Sequence, residues 1–600
     1  MLRGNIAPQQ NIDRNRSVTR SRLFAFLSAV TIAAGISAWS TQPHAQIALP
    51  DDAEPRCKDL AEIQGWFDQN GNVKPPDNES FGQSRNGGSD GKCIFFETAM
   101  RMFLWLTSVD HRQGGEPIYV YDSPLFYRVG PLDKDKMRSL IRNKGTRRVD
   151  VDDISARSFS ASTSQLSADN FAVVFDDMGV IHRFVSRPGS RNVTRADCDA
   201  PPGNLPAHAV TCPGENGTAR ATPAIASPAP PSLAPSCQVA AGARRPSNFT
   251  CVNGLPVRLD RNGKNAIVTT PGQVCDKVLI SQKNKIVYYD IEVNDVVAYF
   301  RSGFEGFHFK DFPTGAPIPT PAKTDIAEID NYAKSHQASL PDKKALAIEI
   351  KTSWIEIDDR GRDRFVTTWA TIPAFTHDSV THWRADGPKK AHLGLVGMHI
   401  VFSAKDNSEM IWATFEHVDN APNQPYAYCQ RSDRGGSDQG DCENTVLHKR
   451  DQATKWIFST NVPQSANNLQ RAYLYKGDIC GYNNNTIGPN DVLRTYAWGS
   501  MQARINTDII NINENVLKSL PDEDIRRNYL LRGAIWTGGG IPPGVSREGS
   551  TKLLNMTMET FFQDSDCFGC HNDVTTTTTR HSVGMSHVFD HLRKLFTRQR

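Results

Sequence analysis

Near its C-terminus the chain reads Cys567-Phe568-Gly569-Cys570-His571. Two thiols separated by two residues and followed at once by an imidazole form the attachment signature of a c-type haem. The spacing has a chemical reason: the thiols reach two vinyl groups on one porphyrin edge, and the adjacent imidazole ligates the iron from below. With twelve cysteines and sixteen histidines among 600 residues, chance yields about 0.006 such motifs per chain. The expected cofactor is therefore one covalently attached haem c, bound through Cys567, Cys570 and His571. A zinc site is the competing reading, because His581, His587 and His591 follow at suitable spacing, but zinc leaves the adjacency of His571 unexplained. On the distal side of the iron the expected metal ligand is Met585, beside Gly584, with the same three histidines as competitors. A thioether there raises the potential and a second imidazole lowers it. The bland alternative is that Met585 simply packs beneath the tail.

A second cluster falls at 412–420, where Glu416, His417 and Asp419 follow Trp412 and Phe415. A carboxylate beside an imidazole tunes its basicity or orients it on a metal. The same residues equally make a strand-end network that satisfies buried polar groups, and that reading is preferred. Gly87-Gly-Ser89-Asp-Gly91 matches a nucleophile-elbow pattern, but no apolar strand leads into it, so a polar loop is expected. No His-Glu-x-x-His occurs.

Haem of this type is attached outside the bacterial cytoplasm, and the N-terminus reads as an export signal. Arg14, Arg16, Arg20 and Arg22 precede an apolar run over 23–39 that small and polar residues close, the order of a secretory signal. The run is short for a spanning helix, which needs about 20 residues. We expect residues 1–45 to be removed, leaving no stable membrane span and a periplasmic or otherwise exported protein. The whole chain carries +3, and 1–45 holds five arginines and one aspartate, so the remainder stands at −1. A near-neutral chain without a basic motif gives no reason to invoke nucleic acid. Ten cysteines lie outside the haem motif, an even number that suggests disulfides in an exported protein. Short loops such as Cys198–Cys212 and Cys429–Cys442 are natural pairings because their closure costs little entropy.

The elements that must position these groups follow from periodicity. Residues 93–107 place Phe95, Ala99, Met102, Phe103 and Leu106 at helical spacing, which predicts a buried amphipathic helix. Residues 199–250 are rich in Pro, Ala and Ser and read as a linker or surface insertion. Strands are expected at 266–270, 285–293, 346–357, 364–372, 392–403 and 409–415, where β-branched and aromatic residues alternate with turn formers. Helices are expected at 508–520 and 521–532, with a short one from about 550 into the haem motif and an apolar tail from 586. The organisation is therefore a signal over 1–45, a mixed region over 46–198, the insertion over 199–250, a β-rich body over 251–500 and a helical haem-bearing region over 501–600. The fold class is α+β, a mostly antiparallel body with helical N- and C-terminal parts.

Several stretches resemble a group of exported bacterial proteins described as cytochrome c family proteins. They are Phe103-Leu-Trp-Leu-Thr, Tyr289-Asp-Ile-Glu-Val-Asn-Asp, Trp412-Ala-Thr-Phe-Glu-His-Val-Asp-Asn, and Asn555-Met-Thr-Met-Glu-Thr-Phe running into the haem motif. The resemblance covers most of the chain apart from 199–250. It implies haem binding at Cys567, Cys570 and His571, single-electron transfer to a partner protein, and a large body fused to a small haem-bearing end. It implies no substrate. The expected function is single-electron transfer, either as a carrier or, as a body of this size suggests, as the electron outlet of an oxidoreductase; the alternative is a haem-based sensor or binding module. Because few residues follow His571, the haem is expected to pack partly against the preceding body rather than inside an ordinary cytochrome domain.

Overall fold

The computed structural model describes residues 49–57, 60–76, 92–110, 118–132, 137–143, 172–175, 181–183, 249–252, 255–258, 266–268, 277–304, 326–342, 345–404, 410–432, 442–451, 456–460, 472–475, 478–537, 547–563, 566–571 and 592–596. The expected signal, most of the 199–250 insertion, the Gly87–Gly91 stretch, Cys198, Cys212 and Met585 lie outside them. His44–Arg600 forms one contact unit.

Its frame is an eleven-stranded sheet among the described residues. The strands are β1 (Phe126–Leu132), β2 (Arg138–Arg142), β3 (Val287–Asn294), β4 (Ile348–Glu356), β5 (Thr367–Thr376), β6 (His382–Phe402), β7 (Ile411–His417), β8 (Ala472–Tyr475), β9 (Asp478–Gly481), β10 (Tyr529–Thr537) and β11 (Arg547–Gly549). The main path runs β11-β10-β7-β6-β4-β3-β1-β2, and every pairing along it is antiparallel. Strand β6 is 21 residues long. Its first part pairs with β5 and β9 and its last part with β4 and β7, so one strand ties the two regions together. The expected strands at 285–293, 346–357, 364–372, 392–403 and 409–415 all belong to this sheet, and 266–268 forms a strand in a small separate one. The body is thus β-rich and antiparallel, as its sequence pattern implies.

Helices cover the sheet. Helix α1 (Leu60–Gln64) packs on α5 (Ala503–Ser519), while α2 (Cys93–Leu106) packs on β7 and β10. Every apolar position singled out in α2 is buried, and Phe95 and Phe103 stack on Trp536 and Phe415 at 4.0 and 4.4 Å between ring centroids. Trp105 contributes to this core and lies near Phe126. Helices α3 (Asp295–Phe304) and α4 (Ile326–Ser335) pack on each other. Cys57 and Cys93 stand at disulfide distance, Cα atoms 5.5 Å apart, and so do Cys429 and Cys442 at 5.2 Å. The second pair is the short-loop pairing expected from sequence. Cys57, Cys93 and Asp508 converge closely enough to suggest a metal, but two sulfurs bonded to each other are no longer ligands.

Two helical expectations are corrected. Residues 521–532 form a short 3₁₀ turn at Ile525–Asn528 and then enter β10. Leu530, Leu531, Ala534, Ile535 and Trp536 are all buried, so both strand faces meet apolar partners and tertiary pairing overrides local propensity. The expected helix from about 550 to the motif is also absent: 551–563 consists of turns. Asn555, Thr557, Glu559 and Thr560 spend their side chains on backbone and neighbouring groups, the competition that disfavours helix for such residues.

Candidate functional site: the Cys567–His571 turn on the sheet

The motif folds as a short helix, α6 (Cys567–His571). Positions 567, 570 and 571 are related by i, i+3 and i+4, so they share one helix face. Cys567 and Phe568 are buried in a cluster with Val401, Met410, Trp412, Ile535 and Leu592. The Cys567 sulfur lies 3.8 Å from the Leu553 carbonyl oxygen. The Trp412 ring, presented by β7, lies 4.3 Å from the His571 imidazole and 6.3 Å from the Phe568 ring. Arg547 on β11 pairs with Asp566 at 2.6 Å, fixing the residue that enters the turn.

The approach to this turn is clamped to the sheet. Asn555 Nδ2 donates to Thr414 Oγ1 and to the Phe415 carbonyl, both at 3.1 Å. The Met556 N–H donates to Glu416 Oε1 at 2.9 Å, and the Tyr289 hydroxyl to the Thr557 carbonyl at 2.6 Å. Glu559 faces His399 Nε2 at 3.0 Å, while His399 Nδ1 is 2.6 Å from Thr414 Oγ1. Burial pushes the Glu559 carboxyl up, but His399, Lys351 and the Asn555 N–H together outweigh it and hold the group below its ordinary value. Gly397 makes the clamp possible: a Cβ there would meet Ser353 Oγ at 2.6 Å and Asn555 Oδ1 at 2.7 Å.

Downstream, the chain is anchored again. The Arg593 N–H donates to the Arg138 carbonyl at 2.7 Å and the Leu595 N–H to Ser302 Oγ at 2.8 Å. Phe596 stacks on His336 at 4.9 Å. Segments on both sides of 572–591 are therefore fixed to the body, and Phe568 and Leu592 share one cluster. Met585, His581, His587 and His591 fall between them, outside the described residues.

The Glu416, His417 and Asp419 stretch forms the polar network. Glu416 is fully buried and pairs with Arg494. Burial alone would raise its carboxyl, but Arg494, Arg532 and the Met556 N–H hold it below the ordinary carboxylate range. His417 Nε2 lies 3.0 Å from the Arg364 carbonyl, and its Nδ1 accepts from the Asp419 N–H at 3.2 Å. That partner set assigns the neutral tautomer with the proton on Nε2. Asp419 pairs with Arg364 at 2.5 Å, and burial pushes its carboxyl up to about 6. With both His417 nitrogens in contact with backbone, the cluster has the form of a strand-end polar network.

The donor set at α6 suits a haem. One helix face carries the two cysteine positions and the imidazole, and the neighbouring cluster is apolar. The Trp412 indole N–H is buried, with the residue 5% exposed, and has no hydrogen-bond partner. A bound group bearing acceptors would satisfy it. Trp412 was legible as part of an aromatic strand end, whereas its contact with His571 depends on the sheet register that brings β7 to the motif. Arg494 and Arg532 carry no sequence signal, being isolated charges outside any motif, and Glu559 was visible only as a member of the Asn555–Phe561 stretch, with no role attached to it. No protein-family model, curated protein or solved structure matches this chain. Among the described residues no helix is long and apolar enough to cross a membrane.

Proposed function

We propose that this chain is an exported mono-haem c-type cytochrome, related to the cytochrome c family proteins it resembles, whose body makes it the electron outlet of an oxidoreductase. The observation that carries this reading is a Cys-x-x-Cys-His motif folded as one helical turn against a buried tryptophan whose N–H has no partner. Cys567 and Cys570 would tether the group and His571 would ligate it. Bound there, haem supplies a one-electron iron couple that a redox partner protein can reach. The chain's own residues do the rest. Trp412 orients the His571 ring and excludes water from one side. The Asn555–Glu559 clamp and the Arg547–Asp566 pair hold the turn on the sheet, so that the motif sits on a rigid element. Met585 is the proposed distal ligand.

The test is maturation of the full chain through a periplasmic cytochrome-assembly pathway, followed by a haem stain on a denaturing gel and a spectrum of the reduced protein. Pigment should survive denaturation and acidic organic extraction. Cys567→Ala and Cys570→Ala should each weaken attachment, and His571→Ala should abolish the low-spin spectrum. Reduced protein should then pass electrons to a soluble cytochrome. Complete extraction of the pigment by solvent from the wild type would overturn the covalent assignment.

A further inference from the structure

Arg532 sits at an irregularity in β10. Phe415 pairs with Leu531 and Thr414 with Gly533, so the register skips Arg532, and Gly533 follows at φ +149°. A β-bulge of this kind re-aims one side chain out of the ladder. The glycine is required there, because a Cβ would run into Ser550. The re-aimed guanidinium lies over the Trp498 ring, 5.4 Å from its centroid. It is 1% exposed, and its Nε, Nη1 and Nη2 are all buried without a hydrogen-bond partner.

The surroundings repeat the pattern. Arg494, also 1% exposed, donates through Nη1 to the Ala421 carbonyl at 3.0 Å and to Asn423 Oδ1 at 2.6 Å, and pairs through Nη2 with Glu416. Its Nε and the Asn423 Nδ2 are buried donors without acceptors. Two guanidinium groups thus share a neighbourhood in which Glu416 is already committed to Arg494 and Met556. Asp451 is the remaining acid; it accepts from the Asn423 N–H at 2.9 Å, and burial raises its carboxyl. Burial and then Arg494 push the Arg532 guanidinium down to about 9, against the charges of Glu416 and Asp451, which hold it up, so it remains a cation at neutral pH. His448, stacked on Tyr426 at 4.7 Å, and Asp451 are the half-buried members nearest solvent.

Buried donors left without acceptors are costly, and more so when the donor is charged. A folded protein holds such donors where something else supplies the acceptors. The missing complement is a set of at least two acceptor oxygens, which a carboxylate or phosphate presents together in the geometry a guanidinium matches. We propose that Arg532, with Arg494 Nε and Asn423, forms a binding site for the oxyanion head, carboxylate or phosphate, of a small ligand. The site belongs to the body and stands independently of haem attachment at the motif.

The experiment titrates the full exported chain with sodium acetate and with sodium phosphate, each against sodium chloride at matched ionic strength. Thermal unfolding and tryptophan fluorescence are the readouts. At least one of the two anions should raise the melting temperature saturably beyond chloride, as ligation of the native state requires. The stronger arm assigns a carboxylate or a phosphate head. Arg532→Met should weaken that response at least tenfold in a variant that still unfolds cooperatively. Asn423→Ala should weaken it without touching Arg532, and is the deciding variant if Arg532→Met does not fold. The proposal is overturned if neither anion exceeds chloride, or if the folded variants respond as wild type does.

Discussion

Glu416→Gln is the perturbation whose cost follows most directly from the structure. The exchange keeps the shape and leaves Oε1 to accept the Met556 N–H, 2.9 Å away in the wild type. It removes the charge that faces Arg494, and it sets an amide NH₂ against a guanidinium Nη2, donor against donor. Both partners are essentially inaccessible, at 1% and 0% side-chain exposure, so water cannot replace the lost acceptor. Breaking a buried pair by removing one partner costs about 3–5 kcal/mol. The surface pair between Lys518 and Glu514, with the lysine 54% exposed, is the internal control, and Glu514→Gln should cost about 0.3–0.5 kcal/mol. Urea midpoints at constant slope measure both. The pH dependence has a definite sign. Glu416 titrates lower in the folded state than in the unfolded chain, so its stabilisation is complete above the unfolded carboxylate value of about 4.3 and is lost as pH falls through the folded value. The gap between wild type and Glu416→Gln should therefore narrow below about pH 4. If the two substitutions cost the same, or the gap persists in acid, the buried-pair reasoning is wrong.

Three further outcomes follow from the same structure. Trp412→Phe keeps a ring against His571 but removes the unpartnered N–H, so it should be tolerated, whereas Trp412→Ala should cost about 3–5 kcal/mol through the space it opens; equal melting temperatures for the two would refute this. Gly397→Ala forces a methyl onto Ser353, Asn555 and Thr557 and should cost about 1–3 kcal/mol, read as a lower urea midpoint and faster proteolysis of the stretch leading to the motif. Thiol counts on denatured exported protein should show Cys57, Cys93, Cys429 and Cys442 reactive only after reduction, and Cys57→Ser with Cys93→Ser should lose about 2–4 kcal/mol.

Local chemistry and short periodicity carry a definite share of this protein without any help from the fold. The Cys567–His571 spacing carries the haem proposal by itself, because the motif is local in the chain. The 93–107 apolar pattern became a buried helix, and the β-branched runs from 285 to 417 became sheet strands, because alternation and helical spacing are properties of the chain alone. The Cys429–Cys442 pairing was legible because its loop is short. Where those pieces meet is settled by long-range packing. Residues 521–532 read as helix until β7 offered Leu530, Leu531 and Ile535 a partner, and the gain from burying both faces exceeds any local preference. The 551–563 stretch read as helix because Leu554, Met558, Phe561 and Phe562 recur at helical spacing. In the fold each of Asn555, Thr557 and Glu559 reaches a residue of the sheet more than 130 positions away, and no local pattern encodes such contacts. Arg532 is the extreme case. One arginine among many in the sequence, it becomes a buried cation without a hydrogen-bond partner because the β7–β10 register slips by one residue beside it, a consequence of pairing between strands that lie far apart in the chain.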